Sequence, residues 1–119
     1  MLIQKTTGLI EISDDVISKM VGKITTATRG IASMSAGLAE RIGKIWSGRS
    51  LQQGVTIHRE DHHLEINVKI IVHYGSKVHE VCRELQHKVI EQVEHLTGLS
   101  IHAVNVTVEG IAPVPLPAQ

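Results

Sequence analysis

The chain has 119 residues, enough for one domain that buries roughly two-thirds of its unfolded surface. Twelve Lys and Arg balance twelve Asp and Glu, and Trp46 and Tyr74 are the only aromatic residues among Phe, Trp and Tyr. This removes both the electrostatic attraction that dominates nucleic-acid affinity and the stacking faces that bases need, so no nucleic-acid partner is expected.

The N-terminal MLIQKTTGLIEISDD has no uninterrupted apolar core of signal-peptide length. No apolar run approaches the ~20 residues that cross a bilayer. A single cysteine, Cys82, cannot close an intrachain disulfide and suits a reducing compartment. The expectation is a cytoplasmic protein without direct membrane insertion, reaching a membrane only through a partner.

Leu9, Ile10 and Ile12 form a short first strand. Ser13 then offers a hydroxyl N-cap, with Asp14 and Asp15 in the electropositive first turn of a helix. Ile17, Met20, Val21, Ile24, Ala27 and Thr28 recur at helical spacing, and Gly30 supplies a stop. Residues 30–37, GIASMSAG, are small and read as a flexible connection. Leu38, Ile42, Ile45 and Trp46 mark a second, shorter helix weakened by Gly43, and SGRSLQQG (47–54) reads as a loop.

A hairpin follows. Val55 and Ile57 alternate with polar residues, and REDHH (59–63) forms the turn. Leu64, Ile66, Val68, Ile70 and Val72 then alternate with Glu65, Asn67, Lys69 and His73, the signature of a strand with one buried face. Ile71 breaks the polar face. After Tyr74-Gly75, Ser76 caps a long helix whose apolar stripe is Val78, Val81, Cys82, Leu85, Val89, Val93 and Leu96, ended by Gly98. A last strand places Val104, Val106 and Val108 on one face. Prolines at 113, 115 and 117 keep the tail from pairing along a sheet, and they lack the PxxP spacing of an SH3 ligand. The order β-α-α-β-β-α-β implies a single α+β domain over residues 1–111, with helices on one face of a mainly antiparallel sheet and a proline-rich flexible tail at 112–119.

No residue set forms a catalytic constellation, so a non-enzymatic protein without cofactor is expected. GKIWSGRS (43–50) fits a phosphate-loop spacing, but it follows a helix, leads into a strand and has Arg49 where the lysine belongs. His87, Glu91 and His95 share one ridge of the long helix, and Glu84 with His87 makes a Glu-x-x-His step. Metal bundles need matching ligands from other helices, and the first two helices contain no histidine, so a polar ridge is the plainer reading. His58, His62 and His63 flank the hairpin turn, where such a cluster can trap Zn or Ni adventitiously, but a specific site needs three or four converging ligands, so no metal site is assigned. The histidines together would add positive charge below pH ~6.5. Cys82 on the apolar stripe reads as a small buried hydrophobe, not a nucleophile. Asp14 and Asp15 are adjacent on a helix, so they point apart and serve its dipole.

The phrases GLIEISDDVISKMVG, GIASMSAGL, GVTIHREDHHLEINVKIIVHYGSKVHEVCRELQHKVIEQVEHLTGL and VNVTVEGI, in that order over residues 8–111, resemble the alkaline shock protein family of Gram-positive bacteria. The histidines depart from the family's commoner acidic and polar choices, which bears on pH or metal behaviour and not on fold. The resemblance implies a non-enzymatic cytoplasmic protein of the cell-envelope stress response, self-associating and recruited to the membrane by an integral membrane partner. As a second alternative, it implies a regulator bound to a lipid-metabolism enzyme. From the residues themselves a third role is a metal-binding protein using the histidine-rich surface. Ile71 and the Val104–Val108 strand are the candidate contact surface, because an unpaired strand edge invites pairing.

Overall fold

The computed structural model describes residues 2–5, 7–35, 54–61 and 63–113. A hairpin of β1 (Leu2–Lys5) and β2 (Gly8–Glu11) opens the chain. Helix α1 (Asp14–Ala27), β3 (Ile31–Met34), β4 (Val55–Glu60), β5 (His63–His73), α2 (Val78–Thr97) and β6 (Ser100–Ala112) follow.

Strand β5 is the axis of the main sheet. On one side β6 runs parallel to it along its whole length, from His63 opposite Ser100 to His73 opposite Ala112. Parallel neighbours need a crossover, and α2 supplies it. On the other side β4 pairs antiparallel with residues 63–68 of β5 and β3 with residues 70–72. Strands β3 and β4 therefore lie end to end as one interrupted edge strand. The joint is made at Lys69, whose carbonyl accepts from Ser35 N–H at 2.8 Å and whose N–H donates to the Gly54 carbonyl at 2.9 Å. Gly54 has φ +81°, and a Cβ there would lie 2.7 Å from the Ser35 oxygen. Only glycine fits.

The alternation in β5 sets the core. Leu64, Ile66, Val68, Ile70 and Val72 are all buried beneath the helices, against Ile17 and Val21 of α1 and Leu85, Val89 and Val93 of α2. Each such side chain contributes about 1.5–3 kcal/mol by leaving water. Ser13 accepts from Val16 N–H at 3.3 Å as the N-cap of α1, and Gly98 closes α2 in the left-handed conformation at φ +74°.

Several local expectations are corrected. The first strand is a hairpin, and Ile12 lies beyond it, packed on the core. Within 30–37, Ile31–Met34 is a strand and not a flexible connection, because burial of Ile31 and pairing with β5 outweigh the small, turn-prone composition. Lys77, not Ser76, is the N-cap of α2, and it makes no side-chain cap bond. The α2 stripe is narrower than its periodicity suggests: Val78 and Leu96 are exposed at 36% and 63%, and in the last turn it is Thr97, one residue past Leu96, that turns to the core. The hairpin turn is shorter than the expected 59–63, since Arg59 and Glu60 belong to β4 and Glu60 is already paired with His63. The expected helix at 38–46 and the segment 43–50 lie outside the described residues, as do 114–119 of the tail.

Candidate interaction surface

Strand β6 is the longest strand, and among the described residues β5 is its only neighbour. Its Val104 carbonyl accepts from Gln86 Nε2 on α2 at 2.9 Å, so this peptide points away from β5. Alternate residues of a strand orient their backbone groups alike, hence Val106 and Val108 also turn theirs to the open edge. Beyond the bulge that follows, Ala112 points the other way and its carbonyl accepts from Tyr74 N–H at 2.9 Å. Among the described residues, side chains of α2 answer the first part of β6, Gln86 at the Val104 carbonyl and Glu94 at the Ile101 N–H (2.9 Å), and the outward backbone groups of Val106 and Val108 are left open.

The sheet face away from the helices carries the polar half of β5. Asn105 Nδ2 donates to Asn67 Oδ1 at 2.9 Å, and Ser35 Oγ donates to Glu109 Oε1 at 2.7 Å, tying β6 and the β3 end to the centre. Ile71 lies on this face opposite Gly110, whose missing side chain leaves it half-buried rather than covered. A bulge in β6 brings His102 beside His63, with ring centroids 5.7 Å apart. Sequence spacing does not reveal that pair, because a bulge shifts register without a local signal.

On the opposite side of the molecule, Val16, Met20 and Ile24 of α1 and Leu96 of α2 line an apolar groove of about 460 Å³, edged by the paired Asp15 and Lys19 and by Lys23. Val16 and Met20 each precede a core residue, Ile17 and Val21, and so face sideways along the helix pair instead of into the sheet. A second hollow, of about 310 Å³, mixes Arg29 and Lys77 with Glu80 and Glu84 and carries no single sign of charge.

The remaining residues singled out in the sequence are placed as follows. His87 Nε2 stands 3.5 Å from Glu91 Oε2 on the exposed ridge of α2, and Glu84 pairs with Lys88 at 3.7 Å. His95 is exposed in the last turn of the same helix. His58 and His63 lie in paired strands, and His62 is outside the described residues. Among the described residues no three His, Cys, Asp or Glu side chains come together in a metal-binding group. Cys82 is half-buried, and desolvation raises its thiol pKa. Asp15 pairs with Lys19 at 3.0 Å, whereas Asp14 accepts from Arg59 Nε at 2.6 Å. Arg59, read from sequence only as part of a turn, instead holds the start of α1 to β4. No helix among the described residues is long and apolar enough to cross a membrane.

The chain is similar to known proteins over nearly its whole length. The model of the ASP23 (alkaline shock protein) family, described by a cell envelope-related function, matches residues 3–113. The uncharacterized protein YloU of Bacillus subtilis (strain 168) is 31% identical over 106 residues, covering 87% of this chain and 88% of its own. The uncharacterized protein Spy1614 of Streptococcus pyogenes serotype M6 is 31% identical over 109 residues, covering 90% of each chain. Among solved structures, a copper form of the MamM CTD superposes with a TM-score of 0.57 at 12% identity, over 82% of this chain and 98% of that one. A zinc form gives 0.54 at 13%, over 81% and 84%. At that identity the likeness shows a shared α+β fold.

Proposed function

Because the chain belongs to the alkaline shock protein family, whose function is cell envelope-related, we propose that it is a non-enzymatic adaptor of the envelope stress response. It works by self-association and by contacts with other proteins, and an integral membrane partner brings it to the envelope. The observation that supports this reading is the open edge of β6, where the backbone groups of Val106 and Val108 face outward with no strand beside them among the described residues. A long, unprotected edge is a template for adding a further strand, and natural proteins otherwise blunt such edges.

Sedimentation velocity over a wide concentration range, together with crosslinked pull-down from native envelope fractions, tests the proposal. Self-association and a reproducible membrane-protein partner are expected. A monomer at every concentration, with no partner recovered, would overturn it.

A further inference from the structure

We infer that copies of this chain pair by exchanging their N-terminal hairpins, each β1–β2 hairpin lying in the α1–α2 groove of the other copy. This deepens the self-association reading and rests on it.

Among the described residues the hairpin has no layer to lean on. Strand β1 pairs with β2, and every residue of β2 is exposed, Leu9 at 60% and Ile10 at 52%. Neighbouring residues of a strand face opposite ways, so the hairpin presents an aliphatic side chain on each side. Two strands alone are marginal in water and gain stability by packing on something apolar. The groove is the complementary surface: Val16 is exposed at 42% and Leu96 at 63%, over a hollow of about 460 Å³. Charges agree with the match. Glu11 of the hairpin and Lys23 of the groove rim are exposed, and neither has an ion-pair partner among the described residues.

The chain's own hairpin is held away from its own groove. Only Ile12 and Ser13 join β2 to α1, and three contacts fix them. Arg59 Nη2 donates to the Ile12 carbonyl at 2.8 Å, Arg59 Nε donates to Asp14 at 2.6 Å, and Ser13 Oγ caps the helix. Ile12 is also packed on the core. Folding back along α1 would break this joint, so the occupant comes from a second copy. Hairpin and groove both adjoin the start of α1, which lets two copies related by a two-fold axis each give and receive one hairpin. Such an interface is isologous and closes at the dimer, leaving β6 free for further partners.

Two full-length point variants test the exchange, with circular dichroism confirming that each folds. Both positions are largely exposed, so the fold tolerates them. Ile10→Asp spoils the hairpin and Leu96→Lys spoils the groove, and each is expected to weaken dimerisation at least tenfold. An equimolar mixture is expected to recover it: the mixed dimer has one wild-type hairpin in one wild-type groove, and an Asp opposite a Lys at the other site. If wild-type protein associates but neither variant weakens it, or the mixture stays as weak as each variant alone, the exchange is overturned while self-association stands. A wild-type monomer at every concentration would remove both.

Discussion

Arg59 on β4 and Asp14 in the first turn of α1 are joined by a 2.6 Å charge-assisted hydrogen bond across a sequence separation of 45 residues. The same guanidinium reaches the Ile12 carbonyl, so one side chain fixes where the first helix leaves the sheet. The ion pair is partly exposed and solvent-screened, and its worth is correspondingly small. Arg59→Met, which keeps the aliphatic stem, is expected to cost about 1 kcal/mol. Urea denaturation measures that cost, and faster tryptic cleavage at Lys5 would report the loosened hairpin joint.

Gly54 and Gly75 both have positive φ, yet their surroundings differ. A Cβ at Gly54 would meet the Ser35 and Lys69 oxygens at 2.7 and 2.9 Å, while one at Gly75 meets nothing within 4 Å. Gly75→Ala pays only for the left-handed backbone, about 1 kcal/mol. Gly54→Ala must also push apart two main-chain segments, and a loss of about 3 kcal/mol or more is expected. Paired denaturation curves of the two variants decide this.

Leu85 and Leu96 occupy the same sequence stripe but opposite environments, fully buried against 63% exposed. Leu85→Ala is expected to destabilise by about 2–5 kcal/mol through lost burial and a residual cavity. Leu96→Ala stays within about 0.5 kcal/mol for the monomer. Thermal melts at low concentration, where association is suppressed, test the contrast.

Burial raises the pKa of the Cys82 thiol above its ordinary value. The folded state therefore holds its proton more tightly than the unfolded chain. That contribution is complete below the unfolded value of about 8.5 and is lost as pH climbs through the folded one. Cys82→Ala should lose less stability than wild type between neutral and strongly alkaline pH, read from melting temperatures. Alkylation of Cys82 by iodoacetamide at neutral pH should be slow in the native protein and faster in urea.

Val106 and Thr107 sit side by side on β6 with backbone groups facing opposite ways. Proline is tolerated at an edge where its missing N–H faces solvent. Val106→Pro should leave the fold intact, at a cost of about 1 kcal/mol from lost packing, while removing an outward donor. Thr107→Pro breaks the ladder to β5 and should cost about 3 kcal/mol. Loss of partner recovery with Val106→Pro, at unchanged secondary structure, is the expected result in the pull-down.

What could be read along the chain were features whose cause is local. The period-two run from Leu64 to Val72 and the cap at Ser13 depend on neighbours a few residues away, and the structure places both as expected. Strand Ile31–Met34 was hidden because its four residues are small and its partner lies far along the chain. The groove was hidden too: Val16 and Met20 read as ordinary helix residues, and only the position of α2 decides which sides of α1 remain uncovered.

By itself, the sequence determined a layered α+β domain with β5 as its buried strand, and the family phrases that go with it. Those depend on hydrophobic periodicity, which burial enforces residue by residue. Only the tertiary structure decided that β3 and β4 share one edge, that β6 runs parallel beside β5, and that Arg59 holds the first helix in place. Each of these is a contact between distant segments, and its energy exists only once the chain has closed on itself.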